Sequence, residues 1–99
     1  MSALLFVTYP AAEGARFDRD YYTATHLPLV EEKWGAYGLI SARAFFPAGK
    51  ADPVAVAILA FDDAQAIDTA LQSEETAAVL GDLPNFTDIR PTLMRGQPL

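Results

Sequence analysis

His26 is the one histidine of this 99-residue chain, and it lies four residues after Tyr22 and two residues before Pro28. An imidazole changes its charge near neutral pH, so it can take up or release a proton under physiological conditions. A tyrosine hydroxyl one helical turn away can assist that transfer by hydrogen bonding. We therefore predict His26 and Tyr22 as the catalytic pair. The alternative is a structural histidine that is bonded to a backbone carbonyl.

Four other residues are candidate contacts for a bound substrate, namely Trp34, Tyr37, Asn85 and Phe86. Asn85 follows Pro84 and can orient a carbonyl group, while Phe86 can close the site. Each candidate also has an ordinary structural interpretation. Trp34 at helical spacing fits a core position, and Tyr37 between two glycines fits a turn. The Asn85–Phe86 pair fits a turn that is followed by a core residue.

Several other chemistries lack the residues they need. With no cysteine and one histidine, a structural zinc site is excluded on composition, and we expect no metal. Neither GAYG nor PAGKADP matches a phosphate-binding loop, and no serine stands in a nucleophile-elbow context. Seven basic residues are scattered singly in a chain of net charge -6, which argues against nucleic acid or an anionic membrane as partner.

Composition indicates one soluble globular domain over residues 1–99, because 52% of the residues are hydrophobic and 20% are charged. We find no signal-peptide pattern at the N-terminus and no run of about 20 apolar residues that would cross a bilayer. The absence of cysteine agrees with a cytoplasmic protein.

Turn residues divide the chain into six elements in the order βαββαβ. One helix is expected after Asp18 as N-cap, with Phe17 packed on Tyr22. Pro28 lacks an N–H, so this helix should bend or break near His26. The predicted strands are Ala3–Tyr9, Leu39–Phe46, Val54–Phe61 and Thr87–Arg95. A second helix opens with a capping box at Asp62 and Gln65 and runs through Leu71. Ser73–Leu80 either continues this helix or forms a separate helical turn.

This order is typical of the α+β ferredoxin-like fold, a four-stranded antiparallel sheet with strands one and three in the centre. Both central strands are apolar on both faces, and two helices cover one face of such a sheet. An exposed patch of that size is uncommon on a soluble monomer, so we predict a homodimer through the open sheet face. A monomer is the alternative.

The segment FDRDYYTATHLPLVEEKWGAYGL at residues 17–39 resembles the signature of the EthD family, and PNFTDIRP at 84–91 is similar to a segment of that family before its last strand. The resemblance covers nearly the whole chain. It implies a dimeric α+β barrel, with His26 in a pocket between the first helix and the sheet, Tyr22 near it, and the Asn85–Phe86 loop at the mouth. The family takes its name from a protein associated with ethyl tert-butyl ether degradation.

Two classes of function follow as hypotheses. The first is a cofactor-independent oxygenase or isomerase that acts on a small apolar or aromatic metabolite. The second is a non-catalytic dimer that binds such a metabolite or supports a neighbouring enzyme. We expect no cofactor, although relatives of this architecture bind haem, and a Soret band would reveal it.

Overall fold

The computed structural model describes residues 2–48 and 53–98, which form a four-stranded antiparallel sheet with helices against one face. The strand order is β2-β3-β1-β4, so strands one and three are central, as the sequence predicts. Most of the predicted PAGKADP connection lies outside the described residues. The elements are β1 (Ala3–Tyr9), α1 (Arg19–Tyr21), a π-helical turn (Tyr22–His26), α2 (Leu27–Trp34), a 3₁₀ turn (Gly35–Tyr37), β2 (Leu39–Phe45), β3 (Ala55–Phe61), α3 (Ala64–Gln72), α4 (Glu75–Gly81), a 3₁₀ turn (Leu83–Asn85) and β4 (Thr92–Gly96).

The core lies between the sheet and the helices. Along β3 the buried positions alternate with half-buried ones, as expected for a strand with one covered face. Leu5 and Leu59 lie opposite each other on the covered face. Phe6 lies opposite Ile58 and Met94 on the other face, which no helix covers in the described part of the chain. The two-faced apolar pattern of the sequence is therefore real.

Several predicted boundaries were wrong: β2 ends and β3 begins one residue inside the predicted range, and two further differences have a physical cause. The second long helix begins at Ala64, and its N-cap is Asp63, whose carboxylate accepts a hydrogen bond from the N–H of Ala66, so the predicted capping box at Asp62 and Gln65 does not form. The last strand begins at Thr92 because Pro91 cannot donate to the ladder. Thr87 instead forms an isolated bridge with Phe17.

The first helical region, residues 19–34, begins as predicted. Asp18 caps it by accepting a hydrogen bond from the N–H of Tyr21 at 3.0 Å, and the rings of Phe17 and Tyr22 pack at 5.2 Å. Of the bend or break predicted near His26, the break does not occur. The helix widens into the π-helical turn, where the N–H of Leu27 bonds to the carbonyl of Tyr22, and it continues through Pro28. A single π turn of this kind changes the direction of its side chains without ending the helix.

The loop after α4 is fastened to the start of the first helical region. The Arg16 guanidinium donates to the carbonyl of Pro84 at 2.6 Å, and the hydroxyl of Thr87 donates to the carbonyl of Arg16 at 2.7 Å. The N–H of Asp18 donates to the carbonyl of Phe86 at 2.8 Å. Segments about 70 residues apart in the chain are thereby held side by side. Among the described helices, none has the length and apolar character to cross a membrane.

Gly38 is a position where the fold requires glycine. Its φ is +101°, and a Cβ built there would lie 2.8 Å from the Cβ of Ala66. Gly14 also has a positive φ, of +75°, but its surroundings are open. The two positions therefore separate backbone strain from crowding.

We expect Gly14→Ala to lower the free energy of unfolding by about 1 kcal/mol through backbone strain. Gly38→Ala should cost roughly 2 to 4 kcal/mol, because overpacking against α3 adds to that strain. Urea denaturation of both variants measures the difference. Equal losses would contradict the close contact between Gly38 and α3.

Candidate functional site

A cavity of about 300 Å³ lies between the covered face of the sheet and the helices. Its walls are mainly apolar: Val7, Ala57 and Leu59 come from the sheet, and Val30 and Val79 come from the helices. This volume is at the lower end of the range for small-molecule sites. The cavity therefore suits a small apolar ligand.

His26 reaches the cavity from the π-helical turn, with 4% of its surface exposed. Its Nδ1 lies 2.9 Å from Oδ2 of Asp82 in a buried contact. Among the described residues, every fully buried side-chain nitrogen or oxygen has a hydrogen-bond partner. A side-chain nitrogen without a partner must therefore be accessible. Since Nε2 makes no such bond within the described residues and the ring lines the cavity, we infer that Nε2 faces the cavity.

Asp82 is held in place by two further donors. The hydroxyl of Tyr21 donates to Oδ1 at 2.7 Å, and the amide nitrogen of Asn85 donates to the same oxygen at 2.9 Å. Asp82 directly follows α4, and Asn85 ends the 3₁₀ turn after it. The carboxylate thus has three side-chain donors, counting His26, and a fixed orientation.

The electrostatics of the pair favour a neutral ring beside an ionised carboxylate. Burial is the largest influence on His26 and lowers its pKa below the ordinary 6.5, although Asp82 partly offsets this effect. Burial of Asp82 opposes ionisation, but the hydrogen bonds from Tyr21, Asn85 and His26 outweigh it and lower its pKa below 3.8. A carboxylate only accepts hydrogen bonds, so the ring proton sits on Nδ1 and Nε2 is left as a base.

Two aromatic rings that also contact each other pack against the imidazole. The Phe86 ring lies 4.6 Å from the His26 ring, and the Tyr22 ring stacks on it at 5.5 Å with an angle of 22° between the planes. Phe86 is fully buried and also contacts Phe17 at 5.4 Å. Together with the Nδ1 bond, these contacts leave the imidazole little freedom to rotate.

The structure brings together some of the predicted residues and not others. Tyr22, His26 and Trp34 line the cavity, whereas Tyr37, Asn85 and Phe86 are not among its described lining residues. Phe86 lies against the His26 ring, and Asn85 bonds to Asp82, so both support the histidine and do not form the cavity wall. The bond of Nδ1 to a carboxylate replaces the backbone carbonyl considered as the structural alternative.

Asp82 is the residue that the sequence interpretation missed. It is 56 positions from His26, and no local spacing connects the two. One signal was available: an acidic residue directly after a helix faces the negative end of the helix dipole, which is unfavourable unless a partner compensates. Among the described residues, no group of three histidine, cysteine or acidic side chains could hold a metal ion.

Comparisons with known proteins agree with this fold. The EthD domain profile matches residues 13–90. An EthD-like protein from Ralstonia eutropha has 32% identity and a TM-score of 0.83 over 97% of this chain and 90% of its own. An ethyl tert-butyl ether degradation (EthD) family protein from Bacillus halodurans has 22% identity and a TM-score of 0.76 over 100% of both chains. An antibiotic biosynthesis monooxygenase has 13% identity and a TM-score of 0.54 over 100% of this chain and 99% of its own, which shows a shared fold. The search of curated proteins finds no match.

The lowered pKa of His26 makes stability depend on pH in a defined direction. The folded chain binds this proton more weakly than the unfolded chain, so the contribution is complete above the ordinary value of 6.5 and is lost as the pH falls below it. We expect the free energy of unfolding to fall between about pH 7 and pH 5. In His26→Asn, which keeps a donor for Asp82 but does not titrate, this dependence should flatten. A wild-type stability that is constant or rises over this interval would contradict a lowered pKa.

Proposed function

This chain belongs to the EthD family, and we propose that it is a small enzyme that transfers a proton to or from a small apolar or aromatic substrate, with His26 as the acid–base residue. Asp82 acts as a positioning residue through His26. The substrate occupies the cavity between the sheet and the helices. This proposal includes no resident cofactor.

The hydrogen bond between His26 Nδ1 and Asp82 Oδ2 is the observation that carries this proposal. It presents Nε2 as a base within a cavity whose walls are mainly apolar. A base whose pKa lies below its ordinary value of 6.5 is unprotonated at physiological pH, and it can return to the product the proton that it takes up. The arrangement supports acid–base catalysis on these grounds, independently of the fold.

Two reactions begin with the same proton removal. If His26 returns the proton to a different atom of the substrate anion, the product is an isomer. If the anion is electron-rich enough to reduce O₂, a CH₂ group becomes a carbonyl with one oxygen atom, and the other oxygen leaves as water. The substrate supplies the electrons for that reaction, so the protein needs to supply only the base and the enclosure.

The apolar character of the cavity favours a second candidate function. Most of the wall consists of aliphatic and aromatic side chains, which would also serve a protein that binds or delivers a hydrophobic metabolite without changing it. Such a protein would bind ligand with saturation and form no product. Proton exchange into the ligand distinguishes the two functions.

We also propose that the open face of the sheet pairs with a second copy of the chain. Phe6 and Ile58 lie at the centre of that face on the two middle strands. Phe45 and Met94, on the edge strands, have 52% and 62% of their surface exposed in the single chain. An apolar centre of a sheet face, as on β1 and β3 here, is characteristic of an interface between subunits.

The proton-transfer proposal is tested by hydrogen–deuterium exchange into phenylacetone, an uncharged ketone with an acidic CH₂ group. Wild-type protein in D₂O should accelerate exchange at that CH₂ above the buffer rate. His26→Asn should reduce the acceleration by about 10² to 10⁴-fold, the usual contribution of general acid–base catalysis. Nuclear magnetic resonance follows the exchange, and an oxygen electrode shows whether O₂ is consumed.

The matched variants are Asp82→Asn and Asp20→Asn. Because Asp82 raises the pKa of His26, Asp82→Asn should move the acidic limb of the pH–rate profile to lower pH. Asp20 is exposed in α1, and its loss should leave the profile unchanged. Exchange that survives in His26→Asn would contradict the role of His26. Saturable binding without exchange across a panel of uncharged ketones and phenols would favour the binding protein.

The dimer proposal is tested by light scattering. Ile58→Lys places a charge at the centre of the open face and should convert a dimer into monomers at micromolar concentration. Thr69→Lys adds the same charge at an exposed position of α3 and should leave the dimer intact. A wild-type protein that is monomeric at this concentration would refute the proposed pairing.

A further inference from the structure

We propose that the hydroxyls of Tyr9 and Tyr22 form a subsite within the cavity that hydrogen-bonds to a carbonyl or hydroxyl oxygen of the ligand. The ligand it takes is an uncharged molecule with either a carbonyl oxygen beside an acidic CH group or a hydroxyl whose own proton passes to His26. This inference deepens the proposed function and rests on it for the direction of proton transfer.

Both tyrosines are built into the site from different elements. Tyr9 ends β1 and Tyr22 opens the π-helical turn, and each has 1% of its surface exposed while lining the cavity. Their rings meet edge to face at 5.6 Å. Phe17 packs against both rings at 5.2 Å and holds them in place. The hydroxyls are therefore fixed before a ligand arrives.

The hydroxyls of Tyr9 and Tyr22 lie near each other, and within the described part of the chain neither donates to a third group. At most one of their two protons is used between them, so at least one is left for a ligand oxygen. Burial raises the pKa of Tyr9 and of Tyr22, so both groups remain protonated donors at neutral pH.

The other polar groups of the wall already have partners. Trp34 Nε1 donates to Oγ1 of Thr76 at 3.3 Å, and that hydroxyl donates to the carbonyl of Ala70 at 2.7 Å. The tyrosine pair and Nε2 of His26 are thus the polar groups available to a ligand among the described lining residues. One donor and one acceptor in an apolar cavity select for a ligand with a single oxygen function.

No lysine, arginine, aspartate or glutamate is among the described residues that line the cavity. The His26 ring is neutral because burial lowers its pKa. A carboxylate or phosphate on the ligand would be buried without a counter-charge, which is strongly unfavourable. The subsite therefore discriminates against anionic ligands.

The contact between the Tyr22 and His26 rings further restricts the chemical class of the ligand. The two rings stack at 5.5 Å with 22° between the planes, and both residues line the cavity, so they border adjacent parts of it. A ligand oxygen bound by the hydroxyl lies close to the hydrogen that Nε2 removes. An enolisable ketone and a phenol both meet this requirement.

Three probes with a common ring test the subsite: 4-methylphenol, toluene and 4-hydroxybenzoate. Trp34 is the one tryptophan of the chain and lines the cavity, so its fluorescence reports binding. Tyr22→Phe should lower the affinity for 4-methylphenol by about two- to tenfold, which is the usual effect of losing one hydrogen bond. The affinity for toluene should not change. Tyr37→Phe, outside the described lining, should change neither affinity. Wild-type protein should bind 4-hydroxybenzoate at least about a hundredfold more weakly than 4-methylphenol.

Comparable affinity for 4-hydroxybenzoate and 4-methylphenol would overturn the inference. So would an unchanged affinity for 4-methylphenol in Tyr22→Phe and in the double variant with Tyr9→Phe, or an absence of saturable binding of 4-methylphenol. This test is separate from the catalytic one. If the protein shows the binding pattern but exchanges no proton, the proposed function is contradicted and the subsite is supported. If the protein exchanges protons but binds 4-hydroxybenzoate more tightly than 4-methylphenol, the proposed function is supported and the subsite is contradicted.

Discussion

The buried hydrogen bond between His26 and Asp82 is the contact on which the account of this site depends. An ionised carboxylate in a buried position needs donors, and His26, Tyr21 and Asn85 supply them. The bond in turn fixes the imidazole and places its base on the cavity side. Without it, the ring would be one more buried aromatic group in a core already rich in them. With it, an apolar cavity contains a defined proton acceptor.

Two irregular segments of the fold, the π-helical turn and the loop after α4, position the residues of this contact. The π-helical turn ahead of Pro28 directs Tyr22 and His26 toward the cavity while the helix continues. The loop after α4 is fastened to residues 16–18 by several hydrogen bonds, which set Asp82 beside the histidine. The regular sheet supplies the opposite wall. The two halves of the site therefore come from distant segments that are joined by backbone and side-chain bonds, and the geometry does not rely on a single flexible loop.

Local chemistry in the sequence was sufficient for the element order, the central strands and the Asp18 cap, because periodicity and capping act over a few residues. It was less informative where competing local solutions differ little: Asp62 and Asp63 are both plausible caps, and the last strand was predicted five residues too early. The sequence predicted a bend or a break near His26 because of Pro28; the helix does not break, and a π turn forms there instead. Asp82 was missed because its partner is determined by tertiary packing. The EthD resemblance identified the fold and the position of His26, whereas the orientation of the ring required the three-dimensional structure.

Nitrogen-15 nuclear magnetic resonance of the single histidine tests the central claim most directly, because the chemical shifts of the two ring nitrogens report where the proton resides. At neutral pH we predict a neutral ring with its proton on Nδ1 and an unprotonated Nε2. A ring protonated on Nε2, or an imidazolium at neutral pH, would contradict the account. Either result would mean that the base does not face the cavity in the form that the proposed chemistry requires.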